Sequence, residues 1–388
     1  MQSNSFKRIP LAEMSQEQPP NGSKRPAETE PEKPQAPTPL TVRRPSEIMA
    51  MEFPESDILL ENGYLAKGDS LAICGAGGIG KSRLELQLVF SLVTGRDFLG
   101  WETRGIGTRW LILQTENSNR RLNRDLAAML ADFSEEEIAA IDDGVFIHTL
   151  ETPEDSFVSL TLPENEARIA ARIQEINPTG VIYDVLRDFG IGDLNKDEGM
   201  TATLSAIGRI TRQGDVQRIP VISHHALTGK SGAAKATGFD RGSFGRNSKV
   251  LLGWARAQIN LAPYEADNND VLVVASGKAN NAEEFSPFGI RLTPETMMYE
   301  RDNSVDLDSW RERIGADSGG SIATISDVVK IVEAGGLKGV AKAKIKSALM
   351  GEKAISKASA YRVIDKAETK KAIVRRKDDD LYVVPQSR

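Results

Sequence analysis

Eight consecutive residues, Gly75-Ala76-Gly77-Gly78-Ile79-Gly80-Lys81-Ser82, constrain this chain more than any other stretch. They follow a short apolar run that predicts a strand over 69–74 and precede a pattern that predicts a helix over 81–93. A strand, a glycine-rich loop and a helix in that order make an anion cradle. The glycines let backbone N–H groups turn inward, the lysine reaches the outer phosphates of a nucleotide, and the serine hydroxyl can ligate Mg²⁺. The helix N-terminus adds its positive end. The expected ligands are ATP and Mg²⁺, held by Gly75, Ala76, Gly77, Gly78, Ile79, Gly80, Lys81, Ser82 and the adjoining Arg83, with Ser82 on the metal. A glycine-rich turn with no ligand is the plainer reading. It does not account for the strand and helix on either side.

Beyond the loop, strands over 109–115, 145–148 and 181–185 alternate with helices over 118–133 and 164–176. That rhythm predicts an α/β fold with a mostly parallel sheet. A helix over 201–213 leads through Pro220 to a strand over 221–223, and later strands over 249–260, 270–276 and 285–292 read as antiparallel additions. Three groups fall at strand ends, where such sheets place ligands. Asp184 closes the run Val181-Ile182-Tyr183 and is the candidate to complete the Mg²⁺ shell, the alternative being a turn or cap residue. Glu116 follows Trp110-Leu111-Ile112-Leu113-Gln114-Thr115 and can orient or deprotonate an attacking water, unless it merely caps the next helix. His224 and His225 close the strand over 221–223 and can sense a γ-phosphate. Structural histidines are the duller assignment.

Composition divides the 388 residues. Residues 1–44 are dense in Pro, Ser, Gln, Glu and Lys, with too little apolar surface to offset the entropy of ordering, and are expected to be a disordered tail. Residues 45–301 form the expected nucleotide-binding domain, 302–320 an Asp-, Ser- and Gly-rich linker, and 321–388 a second module. Cys74 is the only cysteine, which excludes an intrachain disulfide and a thiolate zinc cluster. No run approaches the roughly 18 apolar residues of a membrane span, and the start of the chain lacks a signal peptide's apolar core. A cytoplasmic protein without a membrane partner is expected.

The formal net charge of −6 hides an asymmetry. Residues 338–377 carry thirteen Lys or Arg against three Asp or Glu, which suggests a polyanionic partner. Helices over 326–334, 341–349 and 356–371 followed by strands over 373–376 and 381–384 are in winged-helix order. In the third helix Ala360, Val363, Ile364 and Ala367 share one face, while Ser359, Arg362 and Lys366 share another that could enter a DNA groove. Ser356 can cap it. A basic face used for solubility or protein docking is the alternative to duplex DNA binding.

The arrangement as a whole resembles the RecA-like ATPases of the hexameric helicase kind, close to RepA-type plasmid helicases and related AAA family ATPases of phages and mobile elements. The resemblance covers roughly residues 46–300. It rests on Met51-Glu52-Phe53-Pro54 leading to Gly68, on Leu113-Gln114-Thr115-Glu116-Asn117-Ser118 with Arg121-Leu122, on Val181-Ile182-Tyr183-Asp184-Val185-Leu186-Arg187, on His224-His225 before a Gly/Lys-rich loop, and on Lys278-Ala279-Asn280 followed by a short strand pair. It implies a ring, a hexamer, in which a basic residue of the neighbouring subunit completes each site. Lys278 and Arg246 are the favoured candidates, with Arg241 and Arg256 as alternatives. Such helicases often place a second basic residue two positions after the finger lysine, where this chain has Asn280.

The resemblance also implies single-stranded DNA contact in a central channel through the loop 227–247, with Lys230, Lys235, Arg241 and Arg246 for phosphates and Phe239 and Phe244 for bases. The implied function is an ATP-driven DNA motor, a replicative-type helicase. A DNA-binding ATP switch of regulatory or defence type is the rival. A small-molecule kinase is disfavoured, because no closing lid or acceptor site is visible.

Overall fold

The computed structural model describes residues 40–226, 233, 235–237, 241–245, 248–265, 268–316, 323–353, 357–376 and 378–385. Residues 1–39 of the tail expected over 1–44, and the helix cap at Ser356, lie outside the described residues. Residues 40–52 hold one short helix, α1 (Pro45–Met49), with no buried side chain.

From residue 53 onward the fold is organised by a nine-stranded sheet. Its strands are β1 (Leu71–Gly75), β2 (Trp110–Gln114), β3 (Val145–Ile147), β4 (Gly180–Asp184), β5 (Ile219–His225), β6 (Ala257–Glu265), β7 (Asn268–Ala279), β8 (Phe288–Thr293) and β9 (Met298–Arg301). The order across the sheet is β3-β2-β4-β5-β1-β6-β7-β8-β9. The first six strands in that order run parallel and β7 to β9 are added antiparallel. β1, β2 and β4 are buried along their whole length. Uninterrupted apolar runs suit strands covered on both faces.

Alternation splits those strands between two cores. Ile73, Ile112, Ile182, Val221 and Ile259 face one side, where they meet α2 (Lys81–Thr94) and residues of α3 (Asn119–Met129) and α4 (Glu135–Gly144). Ala72, Cys74, Leu111, Val181, Tyr183 and Ile222 face the other, against α5 (Pro163–Ile176) and α6 (Asp197–Thr211). The second core also takes in α7 (Ser248–Trp254) and α8 (Leu307–Ala316). In α2 every residue from Leu84 to Val93 is buried, as expected of a helix that is apolar nearly all round. Leu88, Val89 and Phe90, fully buried there, each contribute roughly 1.5–3 kcal/mol of apolar burial.

The remaining helices are α9 (Ile325–Ala334), α10 (Lys342–Lys353) and α11 (Lys357–Thr369), which pack around a separate apolar cluster. Val328, Val332, Ile345, Leu349, Ala360, Ile364, Ala367 and Tyr382 fill it. A small antiparallel sheet, in the order β10 (Val340–Ala341), β12 (Leu381–Val383), β11 (Val374–Arg375), closes one side. The α11 face expected from spacing is the one buried here, Val363 included as a partly buried neighbour.

Three local expectations are corrected. The strand expected over 249–260 is the helix α7 followed by β6, because Leu251 packs into the second core before the chain extends. The helix expected over 118–133 ends at Met129, and α4 follows it, started by a capping box in which Ser134 and Glu137 bond reciprocally. The expected linker over 302–320 contains α8, whose Trp310 is fully buried and donates its indole N–H to the Pro263 carbonyl at 3.0 Å. Asp306 starts that helix by accepting from the backbone N–H groups of Asp308 and Ser309. The short strand pair expected after Lys278-Ala279-Asn280 is β8 with β9, and β9 was given no range of its own.

Candidate nucleotide and catalytic site

Register places the candidate groups at one edge of the sheet. Gly75 pairs with His225 on β5, Tyr183 on β4 with Ile222, and Gln114 on β2 with Asp184, so the carboxyl ends of four parallel strands are level. β5 lies between β1 and β4, which inserts the histidine strand between the phosphate loop and Asp184.

The loop itself depends on two left-handed glycines. Gly78 has φ +73°, and the space a Cβ would take there is free of protein atoms, which leaves the loop open to a ligand. Gly80 has φ +99°, and a Cβ there would collide with the Tyr299 hydroxyl. That hydroxyl donates to the Ile79 carbonyl at 3.2 Å. β9 is held in place for this by Gln87 of α2, whose amide donates to the Tyr299 carbonyl and accepts from its N–H, both at 2.7 Å. Burial pushes the Tyr299 hydroxyl up to about 12, so it stays a donor at neutral pH.

Lys81 is buried at the start of α2 and donates to the carbonyls of Gly75 (3.2 Å) and Ala76 (3.0 Å). Burial lowers its pKa, opposed by the nearby carboxylates of Glu85, Asp184 and Glu116. His225 Nδ1 stands 3.4 Å from the same ammonium. His224 points to the opposite side of the sheet, as alternation along a strand requires, and its ring lies near the positions of Gly245 and the second core. Of the two histidines, then, His225 is the one the fold brings to the phosphate loop.

Asp184 is buried, with the Ser82 and Ser223 hydroxyls beside its carboxyl. Burial raises its pKa, and both hydroxyls and Lys81 oppose that shift. Residue types and spacing alone did not single out a fourth group, Glu85, one helical turn after Lys81. It is fully buried, and desolvation together with the charge of Asp184 drives its carboxyl well above the ordinary range. A signal was present: a lone acid within Leu84-Glu85-Leu86 on a helix of otherwise apolar pattern.

Glu116 projects from a turn built by its neighbours. The buried Gln114 amide donates to the Asn117 and His148 carbonyls and accepts from the Asn117 N–H. Ser118, not Glu116, caps α3, accepting from the Arg121 N–H. The Glu116 carboxylate is half exposed and meets Arg187 at 3.4 Å. Arg187 in turn binds Asp188, and Asp188 accepts from the Thr115 hydroxyl. The ends of β2 and β4 are tied together beside the loop.

Other candidates are not brought to this edge. Arg83 turns to Asp125 on α3 at 3.5 Å, which also binds Arg121 and Arg124. Lys278 pairs with Gln258, level with Ala72 of β1, about 10 Å down the strands and about 10 Å across from the loop. Its ammonium caps α7 by donating to the Leu252 and Ala255 carbonyls. Arg241 pairs with Glu284, and Phe244 is buried in the second core, so it offers no face to a base. Arg246, Lys230 and Phe239 lie outside the described residues.

No group of three or more His, Cys, Asp or Glu among the described residues could hold a metal unaided. Mg²⁺ does not require one, since it keeps waters and takes phosphate oxygens. The donors present, the Ser82 hydroxyl against the Asp184 carboxyl beside an open glycine loop, fit a Mg-nucleotide. Bound there, Mg²⁺ would neutralise charge developing on the phosphates. Lys81 would exchange its loop carbonyls for phosphate oxygens, and Glu116 would orient water.

A parallel sheet with its phosphate loop, acidic strand end and intervening fifth strand at one edge defines a RecA-like P-loop ATPase. A family model described as an AAA domain matches residues 31–233, just over half of the chain, and the chain belongs to that family. Among solved structures the chain is similar to a KaiC-like protein of the hyperthermophilic archaeon Pyrococcus horikoshii OT3, with 16% identity and a TM-score of 0.43, covering 63% of this chain and 95% of that one. It is also similar to a second solved structure, described as an ATPase domain, with 13% identity and a TM-score of 0.44, covering 62% of this chain and 87% of that one.

Proposed function

We propose that this ATPase is a ring-forming motor, a hexamer, that couples ATP hydrolysis to movement on DNA as a replicative-type helicase of a mobile element. Lys81 and Ser82 bind phosphate and Mg²⁺, Asp184 completes the metal shell, Glu116 positions water and His225 senses the γ-phosphate. Lys278 or Arg246 acts on the neighbouring subunit's nucleotide. The three-helix module over 321–388 is a winged helix that grips duplex DNA, while single-stranded DNA runs through the ring. The observation that carries this reading is the pairing, in one chain, of a sheet edge holding a phosphate loop and carboxylates with a separately cored and strongly basic module. No helix of the described residues is long and apolar enough to cross a membrane.

The test is turnover with and without single-stranded DNA, together with unwinding of a forked duplex. Strong stimulation and strand separation are expected, and Lys81→Ala should abolish both. Hydrolysis unchanged in that variant would overturn the site assignment. The contact of Arg187 with Glu116 favours a second reading, a DNA-binding switch whose water-positioning group is held in check. Slow turnover, no unwinding and ATP-dependent duplex binding would select it.

A further inference from the structure

Glu85 is an expensive residue in its position. The residue is 1% exposed, both carboxyl oxygens are buried, and neither makes a well-formed hydrogen bond, although the Ser223 hydroxyl lies close enough to favour its charged form. The Ser223 hydroxyl is equally short of a well-formed bond. Burying polar groups without partners is costly, and most of all for a carboxylate. Packing alone would favour an apolar residue, as at Leu84, Leu86 and Leu88 on the same helix. The location makes sense of the cost. Lys81 and Glu85 are four residues apart and so share one face of α2, and Ser223 follows Ile222, the partner of Tyr183, so it stands beside Asp184. The pair thus joins the phosphate helix, the histidine strand and the acidic strand beneath the open loop.

We propose that Glu85, acting with Ser223, is a positioning residue for the nucleotide-bound Mg²⁺, setting the orientation of the Asp184 carboxyl from below. This rests on Asp184 belonging to the metal shell. Groups that orient a metal's ligands are worth about tenfold or more in metal affinity.

The experiment measures binding of a fluorescent ATP analogue across a Mg²⁺ titration, with the melting temperature, for the full chain and for Glu85→Met, Glu85→Gln and Asp184→Asn. In Glu85→Met the Mg²⁺ needed for half-saturation should rise about tenfold, while Mg²⁺-free binding and the melting temperature hold or rise. Glu85→Gln, which keeps shape and polarity, should recover most of the loss. Wild-type Mg²⁺ dependence in a folded Glu85→Met overturns the proposal. Should that variant melt early, Ser223→Ala carries the same test, and unchanged Mg²⁺ dependence there overturns it. Asp184→Asn separates the two claims: if it alone shifts the Mg²⁺ curve, the proposal for Glu85 fails and the metal-shell reading stands. If it does not shift the curve, that reading fails first.

Discussion

Tyr299 reaches from the last strand of the sheet to the underside of the phosphate loop, where its hydroxyl meets Ile79 and occupies the space a Gly80 side chain would need. Tyr299→Phe should cost about 1 kcal/mol of stability and loosen the loop, read as a lower melting temperature and several-fold weaker nucleotide binding. Gly80→Ala combines a left-handed backbone with a collision, and should lose nucleotide binding more completely than Tyr299→Phe, by the same assay. The placement of the loop, Asp184 and Glu116 at one sheet edge was legible in the sequence because its signals are local: a spacing, or a polar residue closing an apolar run. Tyr299 and Glu85 were not, because each acquires its role from a partner supplied by the fold. Tyr299 meets Ile79 across 220 positions, and Glu85 needs β4 and β5 beside α2. The histidine pair shows the intermediate case. Its place was readable, but which ring faces Lys81 needed the register of β5 against β1.

At the scale of the element, the central strand carries its own reporter. Cys74 on β1 is fully buried, and desolvation pushes its thiol up to about 12. A thiol reagent at pH 8 should therefore leave the native protein unmodified and label one group per chain on unfolding. Fast labelling of the folded protein would contradict the burial of β1. The start of α4 gives a prediction in acid. Arg96 holds Glu137 in a two-point ion pair and the Ser134 N–H bonds the same carboxylate, which lowers its pKa to about 2 from an ordinary 4.5. The folded value lies below the unfolded one, so the contribution is present above pH 4.5 and is lost as pH falls toward 2. Glu137→Gln should flatten the fall in melting temperature over that window. Among the elements, α/β alternation was legible wherever apolar runs were long and bounded. It failed at α7, where Val250-Leu251-Leu252 is too short for period to separate helix from strand, and at α8, where one Trp anchors an otherwise polar segment.

For the whole molecule, the sharpest expectation concerns Lys278. Mixing Lys81→Ala chains with Lys278→Ala chains, each inactive alone, should restore part of the turnover if the lysine serves a neighbour. No recovery would confine Lys278 to capping α7. Charge and composition marked the basic segment, whose side chains fill an apolar cluster of their own. How far the core extends toward the basic module was not legible, since Trp310 ties residues read as a linker to the Pro263 carbonyl on β6.

The sheet has unlike ends. The nucleotide edge carries Lys81, Asp184 and Glu116, whereas Lys278 lies toward the opposite strand ends, level with Ala72. A copy that lent Lys278 to a neighbour's nucleotide would leave its own nucleotide edge to be served by another copy. If lender and receiver lie on different faces of each copy, such a contact is head-to-tail and has a direction. A contact of that kind would repeat in the same sense until the last copy met the first, or else run on as a filament, and its turn angle would set how many copies share the work.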